Sequence, residues 1–249
     1  MNRILAIVAE SEIIKAVLTS IVYAANAVVV GVSLIPSVYL AGYAWERTMT
    51  QLSPVRVIAF SLACGGAVYL YFVTGSLVMS SLIRVISWGI KPGRYSVQSF
   101  TVLRWLVYSG IYHIAGKTIL DYLPMSFLGV LFFQIVGAKI GKNSAINTWY
   151  LNDAFLMEIG DNVVIGGKSD ISCHTFEKGC LLLQPVKIGS DTLIGQQCYI
   201  SPGVTIGKRC VIGQYSFIRK NKTLPDKSVI AALGGLPIRA ISRLEKTEE

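Results

Sequence analysis

Charge is missing where a soluble domain would carry it. Residues 16–45 hold no charged residue, and neither do residues 57–83. Only 15% of the chain is charged against 53% hydrophobic, and the deficit lies before Lys139. Core helices rarely run that long without a charge, whereas about 20 apolar residues cross a bilayer core. Histidine is equally scarce: His113 and His174 are the two in the sequence. That argues against zinc chemistry, which needs several such ligands, and no metal is expected. The five cysteines (Cys64, Cys173, Cys180, Cys198 and Cys210) are odd in number and form no C-x-x-C pair. A disulfide framework is not expected, and reduced thiols suit a cytosolic second half. Phosphate-binding loops and dinucleotide fingerprints are absent. The formal charge is +9, yet the cations form no run or stripe with interleaved aromatics. Nucleic acid is therefore not an expected partner, and cations beside apolar spans suit anionic membrane lipids instead.

What is present divides the chain in two. Residues 1–138 read as a membrane region with two transmembrane helices, at about 16–45 and 57–83. Pro36 and several glycines interrupt the spans, which membrane helices tolerate. Glu10 and Glu12, with the long apolar stretch after Lys15, argue against a cleaved signal peptide. Residues 99–138 are apolar but punctuated by Arg104, Lys117 and Asp121, with Trp105, Tyr108, Tyr112 and Tyr122 between them. Interfacial or re-entrant helices fit, and 122–138 leaves a short third span open. His113 in this segment reads as a packing residue. Arg47 and Arg56 lie between the spans, whereas Arg84, Lys91, Arg94 and Arg104 follow them. The positive-inside rule then places the second half on the cytoplasmic side of a multi-pass cell-membrane protein.

The second half is a repeat. Aliphatic residues recur every six positions at Ile188, Ile194, Ile200, Ile206, Ile212, Ile218, Leu224 and Ile230. Glycine follows four of them, at Gly189, Gly195, Gly207 and Gly213. The fifth hexad position is mostly small, including Cys198 and Cys210, which read as packing residues. Upstream, Ile140, Ile146, Ile159, Ile165 and Ile171 share the pattern, with slips between Ile146 and Ile159 and between Ile171 and Ile188. Such a period means a solenoid whose stacked coils bury a narrow axis. A slip marks a loop leaving the coil, and the second slip holds Cys173, His174 and Glu177.

The stretch CHTFEKGCLLLQPVKIGSDTLIGQQCYISPGVTIGKRCVIGQYSFI resembles the left-handed β-helix hexapeptide acyltransferases, as does GLPIRAI at 235–241. SWGIKPGRYSVQSF, RW and VGAKIGKNSAI resemble the membrane-bound C-terminal region of polylysine-synthetase-type nonribosomal peptide synthetases and their stand-alone relatives. No adenylation or carrier domain accompanies them, so monomer activation is not expected. The fold class expected is an α-helical membrane region followed by a left-handed parallel β-helix over 139–241 and a charged tail at 242–249.

The resemblance implies a homotrimer that moves an acyl or aminoacyl group from a thioester to a membrane-proximal hydroxyl or amine. Acyl-CoA is the expected co-substrate, with no permanently bound cofactor. His174 is the expected general base, since an imidazole can take a proton at cytosolic pH. Glu177, near it in sequence, and Asp170, just before the loop, are candidate orienters. Asn147, Asp153 and Asp170 are candidate acceptor ligands, and Gln197, Lys208, Arg219, Lys220 and Lys222 candidate donor ligands. Cys173 is not expected to act, because the family transfers directly. The competing expectation is a non-catalytic trimeric scaffold that merely keeps the coil.

Overall fold

A computed structural model of the chain describes residues 12–230. Four α-helices lie among the described residues: α1 (Glu12–Thr48), α2 (Ser53–Ser87), α3 (Phe100–Thr118) and α4 (Phe127–Val136). GLPIRAI and the charged tail lie outside the described residues.

Both α1 and α2 are long and apolar enough to cross a membrane. At 35 residues α2 spans about 50 Å, against about 30 Å of bilayer core. Their outer surfaces are apolar, with Ile35, Val38, Leu62 and Tyr69 exposed. The two run antiparallel: Trp45 meets Phe60 near the turn, and the Thr74 hydroxyl donates to the Ser33 carbonyl at 2.7 Å further along. The hydroxyl ties the two helices together at that level. Arg104 donates to the carbonyls of Ile86 and Trp88, both at 2.7 Å, and so closes the C-terminal end of α2.

Helix α4 has ten residues, about 15 Å, too short for the third span left open over 122–138. Ser126 caps its start and Gly137, at φ 122°, ends it. Its Phe132, Phe133 and Val136 share one core with Ile146 and Ile159, so α4 packs onto the first coil. Helix α3 packs there too. A Cβ on Gly116 would lie 2.4 Å from the Trp149 ring, and Tyr108 and Tyr112 are fully buried.

The repeat forms three parallel sheets wound into one coil. Ile188 lies beside Ile206, Ile194 beside Ile212 and Ile200 beside Ile218, one 18-residue turn apart. These six side chains are at most 5% exposed, and each such burial is worth about 1.5–3 kcal/mol. Glycine after the aliphatic residue answers a need for space. A Cβ on Gly189 would lie 2.5 Å from the backbone of Gly207, because the next coil passes directly over it. The left-handed backbone of the corners falls two residues later, at Asp191, Gln197, Arg209 and Tyr215, with φ between 54° and 61°.

Both slips are resolved. Leu151 pairs with Ile171 and takes an axial slot, fully buried. It follows Ile146 by five residues instead of six, which hid it from the six-residue pattern. A 3-10 turn, Ala154–Leu156, then absorbs the surplus. At the second slip Ile188 pairs with Ile159, and the intervening chain leaves the coil as a β-hairpin.

The three outer faces differ. One carries Lys139, Glu158 and Lys187 in a ladder with N–O distances of 3.0 and 3.1 Å, which holds the Glu158 carboxyl below its ordinary range. A second carries Val164, Leu193 and Val211, each 39–45% exposed. The third carries Asp170, Tyr199 and Phe217, the two rings stacked at 5.4 Å.

Candidate active site

In the hairpin, His174–Glu177 pairs antiparallel with Cys180–Leu183 and turns at Lys178 (φ 49°) and Gly179 (φ 69°). Two successive positive φ values match the twist of the strands they join. A third strand, Gly93–Ser96, pairs with the outer edge of Cys180–Leu183. Side chains alternate along a strand. His174 and Phe176 therefore share one face, and Trp105 of α3 covers both, with centroids 4.7 and 5.5 Å away. Thr175 and Glu177 lie on the other face, where Glu177 forms an ion pair with Lys220. The structure does not bring Glu177 to the imidazole. Three residues apart in an extended strand means opposite sides.

The partner of His174 is Asp153. Its Oδ2 lies 2.6 Å from Nδ1, and the carboxylate is 1% exposed. Its Oδ1 accepts from the Trp105 indole N–H at 2.7 Å. The Ser172 hydroxyl stands 3.3 Å from Nδ1 and donates to the His174 carbonyl at 3.1 Å. A carboxylate only accepts, which assigns the proton to Nδ1 and leaves Nε2 with a lone pair. Asp153, expected among the acceptor ligands, thus stands behind the ring. It adopts a left-handed backbone, φ 62°, which Asp tolerates better than most residues. From α3, the Tyr112 hydroxyl reaches the carbonyls of Trp149 and Leu151, at 2.9 and 2.8 Å, on the strand leading to Asp153.

Asp170 accepts from the Asn152 amide at 2.9 Å, and burial pushes its carboxyl above the ordinary range against that bond. Burial pushes the Cys173 thiol far up, with the Asp153 charge adding to it, so it is no thiolate. Tyr108 and Tyr112 are raised for the same two reasons and stay neutral. His113 is exposed, with Nδ1 3.2 Å from the Ser109 carbonyl. Asn147 is not gathered with His174. It lines a separate depression with Trp149 and Lys168.

Of the five candidate donor ligands, Arg219 and Lys220 come to the hairpin. They line a cavity of about 510 Å³ with Thr175, Tyr199, Ser201 and Phe217. Gln197, Lys208 and Lys222 do not line it. Gln197 is the left-handed corner of a turn, and Lys208 and Lys222 are exposed along the coil. Trp105 and Tyr112 were missed by sequence reasoning, since no spacing links α3 to partners 48 and 39 residues later.

The repeat has a counterpart among known families. Residues 185–220 match the model described as bacterial transferase hexapeptide (six repeats). The Delta-poly-L-ornithine synthetase of Acinetobacter baumannii (strain AB307-0294) is 28% identical over 145 residues, 55% of this chain and 10% of that protein. Residues 185–220 thus carry a bacterial-transferase hexapeptide repeat. The coil is accordingly a left-handed β-helix. The chain spans about a tenth of that relative's length. A maltose O-acetyltransferase from Clostridium difficile 630 is 21% identical, with TM-score 0.43, covering 61% of this chain and 94% of that one. A galactoside acetyltransferase in complex with coenzyme A is 26% identical, with TM-score 0.40, covering 54% and 83%.

Proposed function

We propose that His174 is the general base of a membrane-anchored acyl transfer from a thioester to a hydroxyl or amine. The observation that carries this reading is the 2.6 Å contact between His174 Nδ1 and a buried carboxylate, which leaves Nε2 uncommitted. The acceptor binds through its O–H or N–H to Nε2. Its heteroatom attacks the thioester carbonyl while Nε2 takes the proton. The C–S bond then breaks, and the proton passes from Nε2 to the departing thiolate. Asp153 stabilises the imidazolium that exists between those two transfers.

Acyl-CoA suits the donor role, with Arg219 and Lys220 beside the hairpin as phosphate partners. Helices α1 and α2 are the proposed anchor, which makes the acceptor membrane-proximal and puts the coil on the cytosolic side, where such thioesters are made. The apolar row of Val164, Leu193 and Val211 supports a homotrimer, since an exposed aliphatic stripe on a rigid coil favours association.

The test is thiol release from acetyl-CoA by the detergent-solubilised protein, with amine and hydroxyl acceptors supplied in turn. Acceptor-dependent release is expected. Release unaffected by every acceptor, or none from any thioester, overturns the reading. Asp153→Asn sharpens it. An amide offers the ring an N–H as readily as a carbonyl, so the tautomer is lost. Turnover falls about 10²–10⁴-fold with donor KM little changed, as steady-state kinetics would show.

A further inference from the structure

We infer that Trp105 is a positioning residue for the Asp153–His174 pair, so that helix α3 completes a site the coil alone leaves unfinished. The inference rests on the proposed role of His174 as base. Asp153 is 1% exposed, and its two oxygens have different partners: Nδ1 of His174 at 2.6 Å and the indole N–H at 2.7 Å. An indole is a donor with no acceptor, so this bond has one sense and cannot invert. Rotating the carboxylate would strand Oδ1 without a hydrogen in a buried place, which the geometry therefore resists. The same ring meets the imidazole edge-on at 4.7 Å and sets its plane. Trp105 is itself 5% exposed, and Phe176 backs it at 5.5 Å. One side chain thus fixes the carboxylate by a hydrogen bond and the histidine by contact.

The charged and titratable groups around the pair sharpen the expected effect. Tyr108 and Tyr112 face Asp153 from α3, and Cys173 faces it from the coil. Asp170 stands near His174 from the neighbouring strand, and His113 acts on Asp170 from α3. The indole N–H is then a dipole that steadies the negative form of the pair. Removing it disfavours that form, so the pair holds its proton to higher pH. The free base at Nε2 consequently appears later on the pH scale.

Trp105→Phe keeps an aromatic ring and deletes the N–H. Turnover at neutral pH is expected to fall about tenfold to a hundredfold, the worth of a hydrogen bond to a charged group. The acid limb of the rate profile should move to higher pH, with the KM for acetyl-CoA unchanged. In the Asp153→Asn background the same change should cost less than about twofold, since coupled residues are non-additive. Benzothienylalanine at position 105 keeps the full indole outline without the N–H, and it decides the matter if Trp105→Phe fails to assemble. An unmoved acid limb, or full additivity with Asp153→Asn, overturns the inference. If His174→Ala leaves turnover intact, the base reading falls first. If His174→Ala is inactive while the Trp105 variants keep the wild-type profile, the positioning role alone falls.

Discussion

With His174 as the proposed base, replacing it with alanine is expected to lower turnover about 10²–10⁴-fold, the usual worth of a positioned base, and to leave the coil and its assembly intact. The selectivity follows from where the residue stands. His174 lies in the hairpin, outside the axial stack that runs from Ile146 through Ile218. Its side chain is 26% exposed, so truncation opens little cavity. Donor affinity should stay near wild type, because Arg219 and Lys220 line their cavity with Thr175, on the opposite face of the strand. His174→Asn should restore nothing, since an amide has the size but no basic nitrogen. Stopped assays of thiol release, with the particle mass measured in detergent, separate the two effects. A scaffold that merely kept the coil would make His174→Ala silent in every functional assay.

Ile206→Asp should do the reverse and abolish assembly outright. Ile206 is 2% exposed and sits between Ile188 and Leu224 of the neighbouring coils. The axis offers its side chain hydrocarbon, so a carboxylate there must either stay charged without a partner or take up a proton. Burying an unpaired polar group costs several kcal/mol, a large part of the 5–15 kcal/mol that about bounds a domain's stability. Neighbouring coils close on each other through the same slot, which spreads the damage along the axis. Ile206→Val, by contrast, should cost about 0.5–1.5 kcal/mol. Size-exclusion profiles and circular dichroism of the two variants test this. A folded Ile206→Asp protein with native mass would mean that the axis is wetter than its burial implies.

The repeat was legible because chance does not produce eight aliphatic residues at one spacing. The long helices were legible because charge disappears over their length. His174 could be singled out since it interrupts that spacing. Other features were not legible as read, for two different physical reasons. Leu151 was hidden by a missing residue, since a strict six-residue count cannot see an axial position reached in five. Glu177 stood with Asp170 as a candidate orienter of His174 by closeness in sequence, although HTFE-KG-CLLL carries the alternation and the turn dipeptide of a hairpin. Reading it so would have put Glu177 on the far face from the start. Asp153 was seen, but as an acceptor ligand, because nothing in the spacing marks it as the residue that heads a 3-10 turn and meets the hairpin histidine. Trp105 lies 48 residues from its carboxylate, and only the packing of α3 on the first coils joins them.

The strand Gly93–Ser96 has a mechanical meaning. It leaves the end of α2 by a short connection and is stitched along its length to the hairpin that carries His174. Pulling on α2 therefore loads the hairpin through a ladder of backbone hydrogen bonds rather than through slack chain. With α1 and α2 seated in a bilayer as proposed, the reacting nitrogen keeps one altitude above the lipid headgroups. Acceptors would then be selected by how far they stand out from the surface, as by a gauge of fixed height. A substrate tethered to lipid would search for the site in two dimensions, and one whose reactive group sits too low or too high would pass beneath or above it unread.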